Sequence, residues 1–221
     1  MKFTVHDVEQ RSPAWLQLRV GLLTGSCADA ILAQRKKGTG ELKARADLRR
    51  RLVCERITGL SQEEPFRASA HMERGEAMEP AAFAAYEAET GLGAARVGFI
   101  SHATLKAGCS PDGYIGDWEG ILELKVPKST THLDYVLNPA AFQQEYFGQV
   151  VHALWLTGAQ WCDLVSFDNR LPSTLELVRV RIMAADVDLV AYEQAVMQFL
   201  AEVEVEVEKV LAVGQANGAS A

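Results

Sequence analysis

Long apolar runs are what this 221-residue sequence lacks first. A membrane-spanning helix needs about 20 consecutive apolar residues, and no stretch approaches that. The opening residues, Met1-Lys2-Phe3-Thr4-Val5-His6-Asp7, carry no apolar signal region. A cytoplasmic protein without membrane contact is expected. Paired cysteines are missing too. Cys27, Cys54, Cys109 and Cys162 lie far apart with no CxxC spacing, which argues against a zinc knuckle or iron–sulfur cluster and leaves reduced, mostly buried thiols. The histidines (His6, His71, His102, His132, His152) form no metal-spaced set, and no GxxxxGK[ST] loop suggests nucleotide hydrolysis as an energy source. Positive charge in excess is the last absence, since the net charge is −7. That sum hides an asymmetry. Residues 35–51 hold Arg35, Lys36, Lys37, Lys43, Arg45, Arg49, Arg50 and Arg51 against Glu41 and Asp47, whereas residues 186–208 are strongly acidic. Local charge governs phosphate binding, so the basic run reads either as a DNA-backbone contact or as a solvated helix face.

What is present is 48 % hydrophobic content, enough for one good core. Ser12-Pro13 caps a short helix through Trp15, Leu16 and Leu18 that ends at Gly21. Thr24-Gly25-Ser26 offers a second cap ahead of Ala28, Ile31 and Leu32. After a polar loop at 34–40, Leu42 to Ile57 mark a helix ending near Gly59. A long helix is predicted over 72–90, with Pro80 placed to kink it or begin a new segment. Strands are predicted at 96–101, 107–109, 114–118 and 121–126. Helices follow at 129–137 and 139–157, and in the second Phe142, Tyr146, Val150, Leu154 and Trp155 share a face. Two more strands at 160–167 and 174–182 precede a last helix over 186–213. Residues 202–208 alternate like a strand, yet they continue that helix's apolar stripe. The expectation is one α/β domain over 1–213 with a mixed central sheet flanked by helices, then a disordered tail at 214–221.

Residues 120–127, Gly-Ile-Leu-Glu-Leu-Lys-Val-Pro, alternate in the manner of a strand with one buried face. Leu122, Leu124 and Val126 share the buried side, and Glu123 and Lys125 the other. Such an acid and base form either a surface ion pair of little value or a metal ligand beside an amine that serves a water. Ser110-Pro111-Asp112-Gly113 is turn chemistry, and it sets Asp112 eleven residues before Glu123. A hairpin of that length can bring both carboxylates to one end of adjacent strands. Two carboxylates suit a hard cation such as Mg²⁺, which stabilises charge on a phosphoryl oxygen and acidifies bound water. A neighbouring lysine orients that water, or accepts its proton if its own pKa is depressed.

Pro111-Asp112 followed by Glu123-Leu124-Lys125 resembles the PD-(D/E)xK signature of the restriction-endonuclease-like nucleases. Five segments in order resemble one branch of them, the YqaJ-type, lambda-exonuclease-like viral recombinases. They are Trp15-Leu16-Gln17-Leu18-Arg19 with Gly21 and Thr24-Gly25-Ser26, then Arg74-Gly75-Glu76-Ala77-Met78-Glu79, then Cys109-Ser110-Pro111-Asp112-Gly113. Leu122-Glu123-Leu124-Lys125-Val126-Pro127 and Tyr146-Phe147-Gly148-Gln149-Val150 complete the set.

The resemblance implies a restriction-endonuclease-like fold and a set of roles. Asp112 and Glu123 would bind Mg²⁺, with Mn²⁺ as a substitute and the Leu124 carbonyl as a further ligand. Glu79 would complete the acidic shell, directly or through water. Lys125 would position or deprotonate the attacking water, and Gln149 would orient Lys125 or a substrate phosphate. Arg19 and Ser26 would hold a 5′-terminal phosphate, for which a guanidinium fork has the geometry. Taken singly, Glu79 reads as a solvated helix carboxylate, Gln149 as a core-edge amide and Arg19 as a surface ion pair. His152, one turn after Gln149, is able to face the site, whereas Trp155 and Trp161 read as core. The implied activity is a 5′→3′ exonuclease on double-stranded DNA with 5′-phosphorylated ends, releasing 5′-mononucleotides and leaving 3′ tails. A homotrimeric ring and a single-strand annealing protein are implied partners in phage-type recombination, the chain being phage- or prophage-encoded. The alternatives are an endonuclease or an exonuclease of opposite polarity on the same core, and an inactive DNA-binding module.

Overall fold

The computed structural model describes residues 2–32, 40–63 and 70–218. Its first element, strand β1 (Phe3–His6), has no counterpart among the predicted ones. Ser12 then caps α1 (Pro13–Arg19) by accepting a hydrogen bond from the Trp15 N–H, with Pro13 where no N–H is required. Gly21 turns the chain at φ +72°, a conformation open to glycine without strain. After β2 (Leu23–Thr24), Thr24 stands at the expected cap position, but its side chain makes no capping bond to the backbone. Gly25–Cys27 forms a 3₁₀ turn before the short α2 (Asp29–Leu32). Most of the polar loop predicted at 34–40 lies outside the described residues. Helix α3 (Lys43–Thr58) ends at Gly59 as expected, and α4 (Ala70–Thr90) runs on past Pro80.

Five short strands follow: β3 (Ala94–Arg96), β4 (Phe99–His102), β5 (Ala107–Cys109), β6 (Gly113–Ile115) and β7 (Gly120–Lys125). Helices α5 (Ser129–Leu137) and α6 (Pro139–Thr157), strands β8 (Trp161–Phe167) and β9 (Leu177–Met183), and α7 (Leu189–Gly218) complete the order. Helix α7 runs to Gly218, so the tail expected to be disordered from 214 is helical as far as it is described. The alternating residues 202–208 lie within this helix, as predicted.

The mixed sheet flanked by helices is present, with strand order β3-β6-β7-β8-β9 and a parallel pair only at β7 and β8. A second mixed sheet, β1-β4-β5-β2, stands beside it and is parallel only between β2 and β5. Residues 96–101, predicted as one strand, divide between the two sheets. The crossing falls at Gly98, where a Cβ would lie 2.1 Å from the Val8 carbonyl oxygen.

Strand β7 is covered on both sides, which corrects the one-faced reading. Leu122 and Leu124 pack with Ile115, Val165 and Phe167 against Ala82, Phe83 and Tyr86 of α4. Ile121, on the opposite face, packs with Leu164 and Ile182 in the core that also takes in residues of α6 and α7. Each such side chain contributes about 2 kcal/mol by leaving water. Cys109 and Cys162 are buried, but Cys27 is half-buried and Cys54 exposed, so the thiols are less uniformly buried than expected.

The charge runs also find their place. Helix α3 packs on α7 through Leu48, Leu52, Phe199 and Val203 in the same core. Beside that contact Arg45 donates to Glu202 at 2.6 and 3.1 Å, and Arg49 donates to Glu206 at 2.7 Å. Both also bond Glu41. The basic run and the acidic run are thus partners across one helix pair. For Arg45 and Arg49 this replaces both the DNA-contact and the solvated-face readings, while Arg35, Lys36 and Lys37 lie outside the described residues.

Candidate active site

Strands β6 and β7 pair antiparallel with Gly113 opposite Leu122. That register sets Asp112 beside Glu123. The Asp112 N–H donates to the Leu122 carbonyl at 3.1 Å, and Asp112 Oδ2 accepts from the Leu124 N–H at 2.6 Å. Burial pushes the Asp112 carboxyl up to about 8, and the Glu123 charge adds to the rise while Lys125 opposes it.

Glu123 is 5 % exposed. Its Oε1 accepts from Lys125 Nζ at 2.6 Å and from Gln149 Nε2. Lys125 Nζ also donates to Gln149 Oε1 at 3.2 Å and lies 4.6 Å from the centroid of the Tyr146 ring. Motif reading passed over Tyr146 and assigned it to the core stripe of α6. The available signal was its spacing of three from Gln149, which puts both on one helix face. Burial pushes the Lys125 amine down, but Glu123 and Asp112 raise it by more. Beside these two carboxylates Lys125 is held as an ammonium that can orient a ligand.

Helix α6 comes close to the 3₁₀ turn that carries Ser26. A Cβ on Gly148 would stand 2.2 Å from Asp29 Oδ1 and 2.9 Å from the Asp29 backbone nitrogen, so only glycine permits this approach. Ser26 is exposed, with its hydroxyl 3.3 Å from that of Thr24. Arg19 closes α1 with its guanidinium 4.2 Å from the Trp15 ring centroid, and Trp15 Nε1 donates to Ser110 Oγ at 2.8 Å. The turn beyond Arg19 is held from α3. The Gly21 N–H donates to Glu55 at 2.9 Å, and Arg56 Nε donates to the Gly21 carbonyl at 3.0 Å. Arg19 Nε is buried without a hydrogen-bond partner.

Arg19, Ser26, Glu79, Asp112, Glu123, Leu124, Lys125 and Gln149 all line one cleft of about 470 Å³, with Trp15 and Tyr146 among its other walls. Glu79 stands apart from the two carboxylates in its bonding, since its Oε1 accepts from Arg96 at 2.8 Å. No group of three or more His, Cys, Asp or Glu able to hold an ion occurs among the described residues. His152 does not face the cleft. It is fully buried, with Nδ1 2.7 Å from the Tyr192 hydroxyl and Nε2 3.0 Å from the Gly108 carbonyl. Burial lowers its pKa to about 4, so the neutral ring donates from Nε2 to Gly108, on the strand leading to Asp112. Trp155 lies in the core as expected, and Trp161 carries the Arg181 guanidinium 3.7 Å from its ring centroid.

The donor set fits a divalent cation. Both bonds to Glu123 fall on Oε1, and the Asp112 bond falls on Oδ2. The second oxygen of each carboxylate takes no hydrogen bond among the described residues. A Mg²⁺ ion is commonly held by one or two carboxylates and keeps several waters.

A model of the YqaJ-like viral recombinase domain matches residues 14–160. The crystal structure of an alkaline exonuclease from Laribacter hongkongensis is similar at 33 % identity and TM-score 0.79, over 93 % of this chain and 99 % of that one. The same protein in complex with dAMP gives 34 % and 0.78 over the same shares. A phage-related exonuclease from Haemophilus somnus has this fold at 11 % identity and TM-score 0.68, over 86 % of this chain and 96 % of its own. Comparison with curated proteins gave no match. Family model, relatives and the order of the motifs agree, and this chain belongs to the YqaJ-like viral recombinase family.

Proposed function

We propose that this protein is a Mg²⁺-dependent deoxyribonuclease that digests double-stranded DNA from its 5′ ends, releasing 5′-mononucleotides and leaving 3′ tails. The observation that carries this reading is the sharing of one cleft by Asp112, Glu123 and Lys125 with Arg19 and Ser26. Asp112, Glu123 and the Leu124 carbonyl would hold Mg²⁺ or Mn²⁺, with Glu79 acting through water, and the bound ion would supply charge stabilisation at the phosphoryl oxygen and an acidified water. Lys125 donates a hydrogen bond to the attacking water or to the scissile phosphate. Its other contacts, to Glu123, Gln149 and Tyr146, hold it in place beforehand. Arg19 and the Ser26 hydroxyl, which line the same cleft, would receive the terminal phosphate. Similarity to exonucleases at about a third identity supports the nuclease class. The family resemblance extends the proposal to a homotrimeric ring, a single-strand annealing partner and action in the bacterial cytoplasm.

End chemistry tests the polarity. Duplexes with 5′-phosphate ends should be digested at least about 10-fold faster than those with 5′-hydroxyl ends, the size of a charged hydrogen bond. Arg19→Ala should bring the two rates together. Equal rates in the unaltered protein, or cleavage of closed circles, would favour an endonuclease or the opposite polarity.

A further inference from the structure

Glu63 lies behind the phosphate side of the cleft and faces two cations. Its Oε1 stands 2.5 Å from Arg51 Nη1 and 3.6 Å from Arg19 Nη2. The first contact is a hydrogen-bonded ion pair, and the second is too long for a hydrogen bond. Arg51 Nη2 also reaches Cys27 Sγ at 3.0 Å, next to Ser26. Leu16, Val20 and Thr24 wall a space of about 10 Å³ that also touches Arg19, Arg51 and Glu63. The Arg19 side chain is only 14 % exposed, and its Nε has no partner.

We infer that Glu63 is a counter-charge that weakens the grip of Arg19 on a 5′-phosphate, so that the mononucleotide leaves after each cut. This rests on the reading of Arg19 and Ser26 as the 5′-phosphate pocket. An exonuclease that retains its product cannot admit the next nucleotide, because the product carries the very phosphate by which the end was placed. The pocket must therefore hold the phosphate well enough to align the strand and loosely enough to release it. Glu63 supplies the loosening, since it repels an incoming dianion and competes for the same guanidinium. Arg51 keeps the exchange inexpensive. The shorter bond of Glu63 runs to Arg51, so Glu63 retains a cation when a phosphate takes Arg19, and no half-buried charge is left unpaired. Without Arg51, Glu63 would have Arg19 as its remaining guanidinium partner and would hold it more tightly.

Titration calorimetry with deoxyadenosine 5′-monophosphate, and with deoxyadenosine as the control, tests this in Mg²⁺ on the full chain. Glu63→Gln and Glu63→Ala should each bind the monophosphate about threefold to fivefold more tightly, as expected for a partly exposed ion pair. Arg51→Gln should bind it more weakly, and deoxyadenosine should respond to none of these changes. In steady-state digestion Glu63→Gln should lower KM and kcat together, because product release becomes slower. Unchanged or weaker monophosphate binding in both Glu63 variants overturns the inference. If the unaltered protein binds nucleoside and monophosphate alike, and Arg19→Ala changes neither, the phosphate pocket itself falls. If that preference is present while the Glu63 variants leave it unmoved, the counter-charge role alone falls.

Discussion

Lys125→Ala is expected to slow hydrolysis by about 10³-fold, the scale for removing one preorganised donor from a reacting phosphoryl or acyl group. The ammonium is fixed before substrate arrives, by Glu123 at 2.6 Å, Gln149 at 3.2 Å and the Tyr146 ring at 4.6 Å. It therefore pays no reorganisation cost during reaction, and that advantage is what the alanine forfeits. Lys125 ends strand β7, beyond the buried run from Gly120 to Leu124. The fold and the affinity for duplex should accordingly survive. Single-turnover digestion, with circular dichroism and a binding isotherm as controls, reads all three. A rate within about tenfold of the unaltered protein would remove Lys125 from the reaction. Lys125→Arg should not restore the rate, because a planar fork cannot keep the same three contacts.

The largest expected loss of stability lies on the other side of the sheet. Asp163→Ala should lower the unfolding free energy by about 3 kcal/mol, the lower end for breaking a buried ion pair. Asp163 is fully buried and accepts from Arg181 Nε and Nη2, both at 2.7 Å, and from the Tyr86 hydroxyl at 2.8 Å. Burial raises the Tyr86 phenol, with Asp163 adding to the rise, so the hydroxyl stays a donor that would lose its acceptor. The lower end applies because Arg181 is 35 % exposed and can recover water. Tyr86→Phe, which removes one hydrogen bond only, should cost about 1 kcal/mol. In urea the midpoint should fall with an unchanged slope. Asp163 sits opposite Leu122 in the parallel register, one residue from Glu123, and through Tyr86 it ties α4 to β8, the neighbour of the strand that carries the site. A loss under about 1 kcal/mol for Asp163→Ala would show that this tie is dispensable.

Where the sequence was readable, the determinants were local. Ser12-Pro13, Gly59 and the Asp112–Gly113 turn act through their own backbone neighbours, so the first helix, the end of α3 and the hairpin pairing Asp112 with Glu123 were all foreseen. What escaped depended on partners far along the chain. Strand β1 exists because it pairs with β4, with Phe3 opposite His102, and four residues alone carry too little pattern to announce that. The break at Gly98 follows from its contact with Val8, which no periodicity encodes. Arg45 and Arg49 looked like a nucleic-acid surface until Glu202 and Glu206 were brought against them. The alternation of β7 suggested one buried face, yet a central strand with helices on both sides hides Glu123 as well. Tyr146 and Glu63 stayed invisible for the same reason, as their significance lies in contacts with Lys125 and Arg19.

The most direct measurement is digestion of a blunt duplex labelled at either the 5′ or the 3′ end, in Mg²⁺ and in EDTA. In Mg²⁺ the 5′ label should appear first as mononucleotide while the 3′ label stays in long strands, and EDTA should stop all release. Early release of the 3′ label, internal cuts, or hydrolysis undiminished by EDTA would contradict a metal-dependent 5′→3′ exonuclease built on Asp112, Glu123 and Lys125.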